Sequence, residues 1–161
     1  MATGLQQYVL LTGSDLGNRK ENLKQAASLI EQRIGKVLQK STVHETEPWG
    51  FASRTKFLNQ AILIETSLDS HAVLEEILGI EGQLGRIRHT EQWVSRLIDI
   101  DILCADQLTV ESKPLHIPHK HLHDREFALR PLCELVPHWK HPVLNKPYIT
   151  ILSELTETAF T

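Results

Sequence analysis

The stretch GRIRHTEQWVSRLIDIDILCAD, residues 85–106, concentrates side chains able to do chemistry. Arg86, Arg88 and Arg96 lead into a run in which Asp99 and Asp101 alternate with Ile98, Ile100 and Ile102. Strict alternation of this kind reads as a β-strand. On a strand, residues i and i+2 share a face, with Cα atoms roughly 6.6 Å apart. The two carboxylates therefore project together, while the three isoleucines pack on the opposite face. Two like charges at that spacing repel by roughly 2–3 kcal/mol at an effective dielectric near 20. That cost persists unless one acid is protonated or cations compensate. The nearby arginines can compensate, and so can a divalent ion. A pair of carboxylate ligands suits Mg²⁺, which keeps several waters and completes its shell with phosphate oxygens. Spacing alone equally permits a half-exposed strand whose acids pair with surface arginines.

Other chemistry-bearing motifs carry less. In HKHLH, His119, His121 and His123 would share a face if extended, but no Cys or acidic residue stands at a zinc-type spacing. The ordinary reading is a polar loop of solvent-contacting histidines. GSDLG follows a strand-like run but lacks the lysine and glycine spacing of a phosphate loop. Cys104 and Cys133, the two cysteines, sit in apolar contexts without metal spacing. They read as packed thiols in a reducing compartment.

Elements must hold these groups in place. The 161 residues fit one domain of ordinary composition, 41% hydrophobic and 23% charged. A net charge of -3 advertises no basic face for nucleic acid. No apolar run is long enough to span a bilayer, and the first residues lack the n- and h-regions of a signal peptide. A cytoplasmic domain is expected. QYVLLTGS reads as a first strand. Residues 18–35 then place Leu23, Ala26, Ala27, Ile30 and Ile34 on one helical stripe, with Asn18 as cap and Gly35 as stop. KVLQKSTVHET and FLNQAILIETS are β-rich, separated by a loop containing Pro48 and Gly50. A second helix, capped by Asp69 or Ser70, buries Val73, Leu74, Ile77, Ile80 and Leu84 and ends near Gly85. RLIDIDILCA is the fourth strand. The order β-α-β-β-α-β predicts a ferredoxin-like α+β sandwich, two helices on one face of an antiparallel sheet. A C-terminal extension follows, a loop leading to a short helix near Arg125–Leu135.

Five ordered blocks resemble the 6-hydroxymethyl-7,8-dihydropterin pyrophosphokinase family. They are GSDLGNRKENL, TEPWG, FLNQAI, GRIRHTEQWVSRLIDIDIL and LHIPHKHLHDREFALRPLCEL. The resemblance implies transfer of the terminal pyrophosphoryl group of ATP to the hydroxymethyl of a reduced pterin, releasing AMP, in folate biosynthesis. It implies that Asp99 and Asp101 hold two Mg²⁺ ions. Arg86, Arg96 and Arg125 would neutralise the triphosphate, and His119 would reach a phosphate oxygen. Glu81, Arg88 and Ile102 match positions near the nucleotide. Phe57 and Phe127 would sandwich the pterin and Asn59 would bond its edge. Thr46, Pro48, Trp49 and Gly50 would line its pocket, and Trp93 would close a loop over it. A monomer acting on small molecules, without nucleic acid or membrane, is implied.

The chain departs from the pattern at Gln92, Val94 and Ser95, where the family prefers a basic residue and Gly-Pro. Pro114 and His116 replace a frequent arginine and a frequent threonine, and Lys120 stands at an often aromatic position. A non-catalytic ligand- or RNA-binding module on the same fold is the competing reading. RNA readers on this fold want exposed aromatics and a basic face, whereas the fourth strand here carries two aspartates.

Overall fold

The computed structural model describes residues 4–46, 56–88 and 94–158, and the backbone alone at 86–88, 94–96 and 158. Its central strand, β1 (Gln6–Ser14), is apolar on both faces because both faces are covered. Tyr8 and Leu10 face α1 (Arg19–Arg33) and α2 (Ser70–Leu84), meeting Leu23, Ala26, Ile30, Val73, Ile77 and Ile80. Val9 and Leu11 face the other way, toward α3 (Glu126–Leu135) and α4 (Tyr148–Thr158), meeting Ala128, Leu129, Leu132 and Ile151.

The sheet runs β2 (Lys36–Lys40), β4 (Phe57–Thr66), β1, β7 (Asp99–Ala105), all antiparallel, and β3 (His44–Thr46) continues the outer side by pairing β4. This is the ferredoxin-like arrangement that the element order predicts. The prediction placed helices on one face only. In the structure α3 and α4 bury the second face, and α4 has no counterpart in the sequence reading. Short hairpins complete the chain: β5 (Arg86–Arg88) with β6 (Val94–Arg96), β8 (Val110–Glu111) with β9 (His116–Ile117), and β10 (Lys140–His141) with β11 (Lys146–Pro147).

Helix ends follow local chemistry. The Asn18 side chain accepts from the Glu21 amide at 3.2 Å, and Asp69, rather than Ser70, caps α2 by accepting from Ala72 N at 2.9 Å. Ser70 instead shares a buried hydrogen bond with the Tyr8 hydroxyl at 2.9 Å. After α1, Gly35 is obligatory: a Cβ there would lie 2.3 Å from the Glu65 carbonyl oxygen.

The pairing of β7 with β1 shifts register between Val9 and Leu10. Leu103 is the extra residue, so Leu103 and Cys104 both face α3 and α4. Burial pushes the Cys104 thiol up to about 12 and that of Cys133 up to about 11, so both stay protonated and act as packing groups.

Candidate active site

Cross-strand register builds the site on the face shared with α3. Asn59, Gly13 and Asp99 stand abreast on β4, β1 and β7, and Ala61, Leu11 and Asp101 form the next row. Thr46 sits opposite Phe57 at the β3–β4 end. Gly13 has no side chain, so a trough opens between Asn59 and Asp99. A Cβ at Gly13 would stand 2.9 Å from Asn59 Oδ1. The start of α3 covers the trough with Arg125 and Phe127, whose guanidinium carbon lies 5.7 Å from the Phe127 ring centre. The result is a cleft of about 220 Å³ lined by Leu11, Gly13, Thr46, Phe57, Asn59, Asp99, Asp101, Arg125 and Phe127.

Thr46, Phe57, Asn59, Asp99, Asp101, Arg125 and Phe127 were all singled out from sequence and are brought together here. Leu11 and Gly13 were not, because an apolar strand residue and a glycine carry no chemical signal until the register places them between polar neighbours. Asn59 is 5% exposed, and its Nδ2 donates to Thr46 Oγ1 at 3.0 Å, leaving its carbonyl end toward Gly13. The two phenylalanines are half-buried at the cleft wall, and Phe127 also packs against the core beneath α3.

A second groove, about 170 Å³, meets the first at Asp101. Leu74, Ile102, Pro114 and Leu115 give it an apolar side, and His116, His119 and Lys120 a polar one. Ile102 thus lines a groove from the face opposite the aspartates, and the departures at 114, 116 and 120 all fall there. Burial lowers the His119 pKa; the Asp101 carboxylate pulls it back up, while Arg125, His121 and His116 push it further down. His119 Nδ1 accepts from the His121 amide at 3.2 Å. In the neutral ring Nε2 therefore carries the proton and is the donor.

Glu81 does not reach either cleft. It is 3% exposed beneath β7, on the face of α1 and α2, where Oε2 accepts from the Ile100 amide at 2.8 Å. The resemblance put it near the nucleotide; in the structure it lies behind β7 on the side of α2, whose Leu74 lines the second groove, but it is turned to the Ile100 amide rather than into that groove. Arg86 and Arg96 stand directly opposite each other in the β5–β6 ladder, with Arg88 opposite Val94. Pro48, Trp49, Gly50 and Trp93 lie outside the described residues. Among the described residues, no group of three or more His, Cys, Asp or Glu could hold a metal ion. His119, His121 and His123 make no such cluster.

The GSDLG block has a place too. Ser14 Oγ donates to the Leu97 carbonyl at 2.6 Å, and Asn22 Nδ2 donates to Ser14 Oγ at 3.1 Å and to the Leu16 carbonyl at 2.8 Å. The turn after β1 thereby fixes the entry to β7, two residues before Asp99.

The family model described as 7,8-dihydro-6-hydroxymethylpterin-pyrophosphokinase (HPPK) matches residues 9–137. A Bacillus subtilis protein named 2-amino-4-hydroxy-6-hydroxymethyldihydropteridine pyrophosphokinase is 38% identical over 129 residues, 80% of this chain and 76% of its own length. A Porphyromonas gingivalis protein of the same name is 37% identical over 141 residues, 86% of this chain and 95% of its own. The folic acid synthesis protein fol1 of Schizosaccharomyces pombe is 37% identical over 144 residues, 89% of this chain but 20% of its own length. Among solved structures, Plasmodium falciparum HPPK-DHPS A437G with SDX-DHP superposes with a TM-score of 0.78 at 18% identity. It covers 95% of this chain, which spans 46% of that one, and the likeness is one of fold. With the trough, the paired aspartates and the aromatic wall carried on a sequence that matches over most of its length, the chain belongs to the 7,8-dihydro-6-hydroxymethylpterin-pyrophosphokinase family.

Proposed function

We propose that the chain transfers the terminal pyrophosphoryl group of ATP to the hydroxymethyl oxygen of 6-hydroxymethyl-7,8-dihydropterin. The products are the pterin diphosphate and AMP, a step of folate biosynthesis. The observation that carries the assignment of residues is the position of Asp101, on the seam between an aromatic-walled cleft and a separate, half-apolar groove. A reaction that joins a flat heterocycle to part of a nucleotide needs two such sites meeting at an anion-handling seam.

The cleft suits the pterin. Phe57 and Phe127 offer apolar faces for the ring, while Asn59 and Thr46 offer edge hydrogen bonds. The groove suits the nucleoside end of ATP, with Leu74, Ile102 and Leu115 against the base. His119 Nε2–H is a donor for a phosphate oxygen, and Arg125 brings a guanidinium to the junction. Arg86, Arg88 and Arg96 supply further positive charge for the triphosphate from the β5–β6 hairpin.

Asp99 and Asp101 fit a hard divalent cation: both are carboxylates, both line the cleft, and the trough beside Gly13 leaves room for water and phosphate oxygens. When bound there, Mg²⁺ supplies charge neutralisation for the phosphates. The reaction forms a bond from the hydroxymethyl oxygen to the β-phosphorus and breaks the bridge to the α-phosphate, so AMP departs with the bridging oxygen. The hydroxymethyl proton is released. Positioning and charge stabilisation account for most of such catalysis. Residues 1–161 act in this reading as one cytoplasmic, monomeric pyrophosphokinase domain. Among the described residues no helix is long and apolar enough to cross a membrane.

The test is product identity. Purified protein with ATP, Mg²⁺ and the reduced hydroxymethylpterin yields AMP in equal amount to pterin diphosphate by anion-exchange chromatography. Release of ADP instead refutes pyrophosphoryl transfer.

A further inference from the structure

β7 carries the paired aspartates and, among the described residues, is the last strand of its sheet, so its outer edge pairs with no further strand there. Outward amides and carbonyls on such an edge need other partners. Among the described residues the fold supplies two. The Ile100 amide donates to Glu81 Oε2 at 2.8 Å, and the Leu103 carbonyl accepts from the His119 amide at 2.8 Å. The first of these contacts falls between the two aspartates. The peptide group it holds joins Asp99 to Ile100, and rotation about that segment re-aims one Cα–Cβ bond relative to the other.

The partner chosen is itself informative. Glu81 stands in the last turn of α2 among isoleucines, 3% exposed. Packing there would be served by an apolar residue, and a buried carboxylate is costly unless hydrogen-bonded. The hydrogen bond from the Ile100 amide gives a carboxyl oxygen at that place a role on β7.

We propose that Glu81 is a positioning residue: by accepting the Ile100 amide from behind β7, it fixes the spacing and aim of Asp99 and Asp101, and so the affinity of the site for a divalent cation. The inference rests on the reading of those aspartates as cation ligands. It moves Glu81 from contact with the nucleotide to control of the strand beneath it.

The experiment titrates Mn²⁺, in place of Mg²⁺, into the full chain with a non-hydrolysable ATP analogue, reading free Mn²⁺ by electron paramagnetic resonance. Glu81→Gln keeps the acceptor and loses the charge; Glu81→Met keeps the shape and loses both. Gln binds within about 3-fold of wild type, whereas Met binds about 10-fold or more weakly, the size expected when support behind a metal ligand is removed. Wild-type affinity in Met overturns the proposal, and so does a loss in Gln as large as in Met, since charge would then be the cause. A second measurement is independent of how well Met folds: in folded wild type and in Gln, the Ile100 amide is protected from hydrogen exchange. Free exchange there in wild type overturns the proposal. Asp101→Ala serves as control and abolishes Mn²⁺ binding; if it binds as wild type, the aspartate reading fails, and this inference with it.

Discussion

Asp101 lines both clefts and is exposed, while Asp99 beside it is half-buried. Neither is needed to fill the core, and each adds a negative charge next to the other. Asp101→Ala therefore abolishes turnover while the melting temperature stays level or rises, as differential scanning calorimetry on the cation-free protein would show. Retention of most activity would remove the aspartate from the site. Phe127 is a different kind of residue: half-buried, at the wall of one cleft and absent from the other. Truncation removes a face offered to one substrate only. Phe127→Ala raises the Kd for the pterin by at least about 10-fold, on the scale of a lost aromatic contact, and leaves that for an ATP analogue near wild type by isothermal titration. Equal losses for both ligands would point to a core role.

At the scale of elements, the cleft is a strand trough with a helix across it, and what ties the helix down matters as much as what lines the cavity. The far end of α3 is clamped to the segment ahead of β3. Glu134 accepts from the Thr42 amide at 2.9 Å and from Thr42 Oγ1 at 2.8 Å, and its carboxylate is joined to His44. Burial alone would raise the Glu134 pKa, but the Thr42 amide, His44 and the Thr42 hydroxyl together hold it below the ordinary carboxylate value. Thr46 is two residues further along β3, and Phe127 is on the same helix as Glu134, so the clamp sets the distance between two walls of the cleft. Glu134→Ala is expected to lower stability by about 1 kcal/mol, since the group is partly solvated. It also raises the pterin KM more than the ATP KM. Urea denaturation and steady-state kinetics check the two parts separately.

Over the whole molecule, covering the second face of the sheet brings histidine into the interior. His141, on β10, is 7% exposed; its Nδ1 accepts from the amides of Val143 and Leu144, both at 3.2 Å. Protonation would break both bonds, and burial first, then the nearby His123, lowers its pKa below 6.5. His119 is lowered as well. A depressed folded-state pKa means that, just below 6.5, the unfolded chain holds protons that the folded chain does not, so stability rises with pH across that window. The contribution is complete above about 6.5 and is lost on acidification. Denaturation midpoints accordingly fall from pH 7 to pH 5. His141→Asn, which keeps an acceptor for the two amides but cannot titrate, flattens that slope. An unchanged slope would show that these rings ionise freely in the folded state.

The sequence by itself determined the strands and helices of the βαββαβ core, the start of α3 and the chemical inventory, because these depend on neighbours within a few residues. Alternation marked the strand of Asp99 and Asp101, 3.6-residue periodicity marked α1 and α2, and side-chain caps closed them. The ordered motifs carried the family and, through it, most of the cleft. Tertiary structure decided what depends on contacts distant along the chain. Register put Gly13 between Asn59 and Asp99, with forty or more residues separating each pair in sequence. The unforeseen α4 joined α3 in closing the second face. Packing turned Glu81 of α2 to the Ile100 amide behind β7, while Leu74 of the same helix lines the second groove. A carboxylate has the same identity in either place; only its tertiary neighbours decide whether it meets a substrate or a backbone amide.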